Sequence, residues 1–117
     1  MEINKVNNLL ELFYNQYLTQ AKTSVFLQSL KEVKKKYSWE DVYSNVIKFS
    51  EEISKYIKKG DRCLLISENR PEWMISDLSI MLSGGITVPA YTTYTERDYE
   101  YIIDDCTPTV LIISDKT

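Results

Sequence analysis

The chain has 117 residues, 44% hydrophobic and 26% charged, with a formal net charge of −3. That composition belongs to a folded globular chain with one modest core, not to a disordered segment or two independent domains, and its acidic balance excludes a general polyanion binder. Histidine is absent, which removes a histidine-based triad and an ordinary zinc site.

Val6, Leu9, Leu10, Phe13, Tyr14 and Tyr17 recur at helical spacing and predict an amphipathic helix over residues 5–20. Its polar face is rich in amides and poor in lysine, so the stripe is expected to pack on the rest of the protein rather than on a lipid surface. Residues 24–28 suit a short strand. The lysine-rich stretch after them reads as an exposed hairpin turn that returns through Tyr37.

Ser38 and Asp41 have the spacing of a capping box for a second helix. Its buried stripe is expected to hold Trp39, Val42, Tyr43, Val46, Phe49, Ile53, Tyr56 and Ile57. Lys55, Lys58 and Lys59 would complement the helix dipole, with Gly60 as a left-handed stop. Residues 62–67 are a nearly unbroken apolar run, the pattern of a strand covered on both faces.

Pro71 suits the first turn of a third helix, which runs to about Ser83, is apolar nearly all round and is stopped by Gly84 and Gly85. Residues 86–90 give the next strand, with Pro89 marking its end or an unpaired edge. Thr95 and Asp98 cap a fourth helix whose inner face is expected to be Tyr99, Ile102 and Ile103. Cys106, Thr107 and Pro108 break it, and residues 109–113 form the last strand.

The fold class is therefore α/β: a parallel sheet flanked by helices in the order β-α-β-α-β. An N-terminal helix is expected within residues 1–23, a hairpin within 24–37 and the βα units within 38–117. The chain stops one turn after a buried-type strand, where a doubly wound domain usually continues, so an incomplete subdomain is expected.

Chemistry-bearing motifs are few. The turn after the first parallel strand, residues 67–71, holds no glycine, and Glu68 there would repel phosphate. No Walker loop is present among three glycines in all. Glu51 with Glu52, Glu96 with Asp98, and Asp104 with Asp105 read as solvated helix surface. Lys31, Lys34, Lys35 and Lys36 form one basic cluster and Lys55, Lys58 and Lys59 another; each reads as a solvated turn or helix end, the alternative being contact with phosphate or lipid head groups. Cys63 and Cys106 sit beside apolar residues in no metal or redox spacing and read as reduced structural thiols.

Two stretches keep two readings. Glu68, Asn69 and Arg70 either line a crevice beyond a strand end or serve as loop and cap, with Pro71 starting the helix and Trp73 anchoring the core. Tyr91, Thr92, Thr93, Tyr94 and Thr95 either line a pocket or make a turn and cap. No signal-peptide core and no run of roughly 20 apolar residues occurs, so an intracellular protein without a transmembrane segment is expected.

Four ordered pieces carry a family resemblance: residues 37–42 (YSWEDV), 59–63 (KGDRC), 67–73 (SENRPEW) and 84–91 (GGITVPAY). Over about residues 20–117 the chain resembles the N-terminal part of AMP-forming acyl-CoA synthetases, the adenylate-forming superfamily, and is most similar to the long-chain fatty acid–CoA ligase branch. The resemblance implies that the full-length enzyme joins a fatty acid carboxylate to the α-phosphate of Mg-ATP and then transfers the acyl group to coenzyme A.

It also implies that the signatures for that work lie downstream: a Ser/Thr/Gly-rich phosphate loop ending in Pro-Lys, a nucleoside-binding region and a catalytic lysine. No catalytic, cofactor-binding or metal-binding residue is therefore assigned within this chain, and ATP, Mg²⁺ and coenzyme A are implied only for the full-length enzyme. The 117 residues alone are expected to be inactive. A cytoplasmic location is implied, with peripheral membrane contact left open and no nucleic-acid partner. The alternative is a stand-alone, non-catalytic α/β binding or interaction module.

Overall fold

In the computed structural model, which describes residues 8–29 and 35–114, the first element is helix α1, Leu9–Thr19. Asn8 starts it by accepting the Glu11 N–H on its side-chain oxygen at 2.8 Å. Phe13 and Tyr17 are buried, whereas Leu9 and Tyr14 are exposed. The buried stripe is thus narrower than the periodicity predicts, and Val6 lies outside the described residues. The cause is one-sided packing: Phe13 meets the rings of Phe26 and Trp39 at 5.9 and 6.1 Å, and Tyr17 lies face to face with Tyr43 at 4.2 Å.

Strands β1, Val25–Gln28, and β2, Lys36–Ser38, pair antiparallel as the expected hairpin. Lys31 and Lys34 of its turn lie outside the described residues. Lys35 reaches the Glu72 carboxylate at 2.7 Å, and Lys36 is exposed.

Helix α2, Trp39–Ile53, carries the capping box anticipated at Ser38 and Asp41, with both bonds at 3.0 Å. It ends earlier than expected. The Ser50 and Ser54 hydroxyls bond back to the carbonyls of Ile47 and Ser50, and the next amides close three-residue turns, Lys55 to Glu52 and Tyr56 to Ile53. Such tightening advances the side chains faster around the axis. Tyr56, expected in the stripe, is therefore 63% exposed while Ile57 is buried. Gly60 is left-handed at φ 89°, but it lies well past the helix and turns the chain into the sheet, donating its N–H to the Gly84 carbonyl at 2.8 Å.

Three parallel strands follow: β3, Arg62–Ile66; β4, Ile86–Ala90; and β5, Val110–Ile113. Their order is β4-β3-β5, so β3 is central. Cys63, Leu64 and Leu65 are at most 1% exposed, as an unbroken apolar run covered on both faces should be. Cys63 and Leu65 share a face with Val110 and Ile112, and there Cys63, Val110 and Ile112 pack with Ile53, Ile57 and Ile80.

Helix α3, Pro71–Leu82, begins with proline at its first position. It packs on α2 through a core of Val42, Val46, Ile75 and Leu78, joined by Phe13. Leu82 is 42% exposed, so α3 is less completely covered than its apolar sequence suggests. At its end Gly84 is left-handed at φ 86°. A side chain on Gly85 would meet Ile57 Cδ1 at 2.9 Å, Ile80 Cγ2 at 3.1 Å and the Asp61 carbonyl oxygen at 3.3 Å, so any larger residue there must displace its neighbours.

Helix α4, Glu96–Cys106, is capped by a Thr95–Asp98 box. Tyr99, Ile102 and Cys106 form its covered row, while Ile103, expected on the inner face, is 38% exposed because it stands one row aside. Opposed right-handed crossovers place α3 and α4 on opposite faces of the sheet. Arg62 Nη1 donates to the Cys106 carbonyl at 3.1 Å, setting a cation at the negative end of α4.

A candidate crevice at the strand ends

Parallel strands deliver their carboxyl ends, and the amino ends of the helices that follow, to one edge of the sheet. The connections leaving β3 and β4 emerge there side by side, since Ile66 and Ala90 are register partners. These are the two stretches that the sequence left with double readings, and the fold brings them together. Between them lies a crevice of about 610 Å³.

One wall is Ser67, Glu68, Asn69 and Trp73. The Ser67 hydroxyl donates to the Glu68 carbonyl at 2.9 Å, and Arg70 Nη2 meets Glu68 Oε2 at 3.3 Å. Arg70, not Asn69, occupies the cap position of α3, and no side chain caps that helix. Asn69 is thereby free of a structural duty at the helix start and lines the crevice. Trp73 is half-buried and also lines it, outside both core clusters, so the expected core anchor is a wall residue instead.

The other wall is Pro89, Ala90, Tyr91, Thr92, Thr93 and Tyr94. Tyr91 is 69% exposed. Its ring meets Tyr94 edge-on at 5.4 Å. Thr95 belongs to the capping box of α4 and is not part of the lining. Both readings of this stretch therefore hold, divided between neighbouring residues.

The chemistry of the crevice is plain. Its lining holds one carboxylate, Glu68, which is paired with Arg70 at the rim. The remainder is apolar surface with hydroxyl and amide groups. Nucleotide phosphates and Mg²⁺ do not fit these residues: the lining holds no cation and no glycine-rich loop, and no group of three or more His, Cys, Asp or Glu among the described residues is placed to hold a metal. What the crevice fits is an uncharged, partly apolar portion of a ligand that can also use hydroxyl and amide hydrogen bonds.

The remaining candidates separate from this site. Glu51, Glu52, Glu96, Asp98, Asp104 and Asp105 are exposed; Asp98 serves its capping box, and Glu52 pairs with Lys55 at 2.9 Å. Cys63 and Cys106 are buried and unpaired. Burial, and then the nearby Asp61 carboxylate, push the Cys63 thiol up from its ordinary value, away from a reactive thiolate. Sequence reasoning did not anticipate a second groove of about 440 Å³, flanked by Tyr37, Asn45, Lys48, Phe49, Glu52 and Glu72. It is lined by residues of both α2 and α3, which are distant in sequence, and so leaves no local sequence signal.

Comparisons with known proteins bear on the family and the fold. A family model described as "AMP-binding enzyme" matches residues 16–117. The chain is 30% identical over 82 residues to the long-chain-fatty-acid–CoA ligase of Bacillus subtilis, covering 69% of this chain and 15% of that one. Among solved structures it resembles the Klebsiella oxytoca NpsA N-terminal subdomain, with a TM-score of 0.80, 19% identity and coverage of 96% of this chain and 29% of that one. It also resembles the anthranilate CoA ligase AuaEII in complex with anthranoyl-AMP, with a TM-score of 0.83, 20% identity and coverage of 97% and 22%. The chain spans 10–15% of the length of curated relatives such as the ligases of Mycobacterium tuberculosis and Bacillus subtilis. No helix among the described residues is long and apolar enough to cross a membrane.

Proposed function

The chain belongs to the AMP-binding enzyme family, and from that premise we propose that it is the N-terminal part of a long-chain fatty acid–CoA ligase. In this reading the whole protein activates a fatty acid with ATP to an acyl-adenylate and passes the acyl group to coenzyme A. The observation that carries the reading is the family match across residues 16–117. Identity to a long-chain-fatty-acid–CoA ligase over 82 residues supports the finer substrate class.

The part assigned to these residues is structural support and the two walls of the ligand crevice. Adenylation separates a carboxylate and a triphosphate from water and needs cations to offset the phosphate charge. The crevice supplies no such cation, so polypeptide outside these 117 residues performs that work. Ser67, Asn69, Thr92 and Thr93 give hydrogen-bonding capacity, and Trp73 and Tyr91 give apolar contact, to an uncharged stretch of one of the three substrates.

Fatty-acid-dependent exchange of pyrophosphate into ATP tests the proposal. The full-length gene product should catalyse the exchange with long-chain acids, and the 117-residue chain should remain at background. A full-length product inactive with every fatty acid would sink the ligase reading. Exchange by the 117 residues alone would contradict the placement of catalysis elsewhere.

A further inference from the structure

We infer that Tyr99 is a positioning residue for the crevice: its hydroxyl sets the conformation of residues 91–94 and, through them, the width of the crevice mouth. The inference rests on the reading of the crevice as a ligand site. Residues 91–94 form neither helix nor strand, yet they make up most of one wall. Their two ends are anchored independently. Ala90 is held in the sheet opposite Ile66, and Thr95 is held by its capping box with Asp98.

Between those anchors the Tyr91 carbonyl is the holding point. The Tyr94 N–H approaches it at 3.4 Å, a long and weak contact. Tyr99 Oη donates to the same oxygen at 2.5 Å. The Tyr99 ring also lies 5.9 Å from the Tyr94 ring. Tyr99 itself is fixed within the first turns of α4, where its N–H bonds the Thr95 carbonyl at 3.1 Å. Helix α4 thus grips an irregular segment at its first residue through one hydroxyl. Because the grip is on a backbone atom, it controls where Tyr91, Thr92 and Thr93 stand without depending on their side chains.

The test compares the wild-type chain with Tyr99→Phe, which keeps the ring and removes the donor, and with Tyr94→Phe as a control on the same wall. Amide hydrogen exchange is read by NMR for residues 94 and 95, whose amides are hydrogen-bonded, and for α2 and α4. The Tyr99→Phe change should accelerate exchange at residues 94 and 95 by roughly three- to tenfold, the factor for one net hydrogen bond, and leave α2 unchanged; Tyr94→Phe should alter neither.

Each protein is then titrated with coenzyme A, ATP and decanoate in separate runs. A probe that shifts the wild-type signals of residues 67–69 and 91–94 should bind Tyr99→Phe several-fold more weakly. Unchanged exchange at residues 94 and 95 overturns the inference, as does accelerated exchange with unaltered affinity. If no probe shifts the wild-type crevice signals, the ligand reading of the crevice fails instead, and the exchange data alone decide whether Tyr99 holds the segment.

Discussion

Tyr17 donates its hydroxyl to Glu40 Oε2 at 2.8 Å while stacked on Tyr43 and only 6% exposed. The Glu40 hydrogen bond first, and burial second, push the phenol from its ordinary 10.0 up to about 12. A raised value means that the folded state favours the protonated form. The resulting stability is complete below pH 10, where the unfolded phenol titrates, and is lost as pH rises from there through about 12. A phenolate absorbance titration of the wild type minus Tyr17→Phe should show a midpoint near 12; a midpoint near 10 would remove this link between α1 and α2. At this scale the sequence was readable where a residue acts on near neighbours. The boxes at Ser38–Asp41 and Thr95–Asp98 and the start at Pro71 follow from chemistry within four positions. Tyr17–Glu40 spans 23 residues and left no such mark, and neither did the grip of Tyr99 on the Tyr91 carbonyl.

The α2–α3 contact is where elements become a core. Leu78 is 1% exposed and packs with Val42, Val46 and Ile75. Replacing it by aspartate forfeits roughly 1.5–3 kcal/mol of burial and leaves a charge without water. Leu78→Asp should abolish the helical circular dichroism signal, whereas Leu78→Met, close in volume, should keep it. A folded Leu78→Asp protein would show that α3 does not sit where the core requires. The apolar stripe made this helix pairing legible, but its polar seam was hidden. Ser79 is fully buried, donating to the Ile75 carbonyl at 2.6 Å with the Val46 carbonyl 3.3 Å away, and Ser83 Oγ lies 3.1 Å from the Ser50 carbonyl. Serine in a helix reads as surface unless the partner helix is known, because only close backbone approach gives its hydroxyl a distant acceptor. The crevice has the same origin. Residues 67–70 and 91–94 were each readable as strand-end loops, but their meeting depends on β3 and β4 being neighbours in register.

Across the whole molecule the two edges of the parallel sheet differ. β4 carries Pro89 as its next-to-last residue, opposite Leu65, and proline on an edge discourages further pairing. β5 is an uncharged Val-Leu-Ile-Ile run with Leu111 and Ile113 48% and 63% exposed, and no strand pairs with its outer edge among the described residues. Such an edge invites another strand. Light scattering of the 117-residue chain should therefore show association that grows with concentration, and a Leu111→Lys, Ile113→Lys double variant should suppress it. Equal scattering from both would mean that the edge is inert. An open edge on one side, a crevice lacking phosphate-binding groups and relatives many times longer support the proposal that these residues form a flank of an acyl-activating enzyme whose reactive groups lie outside them. Reading the coding DNA past the codon for Thr117 tests that claim most directly. An open frame that reaches a Ser/Thr/Gly-rich loop ending in Pro-Lys is the predicted result; a stop codon at that point, with no such loop in any downstream frame, would contradict it.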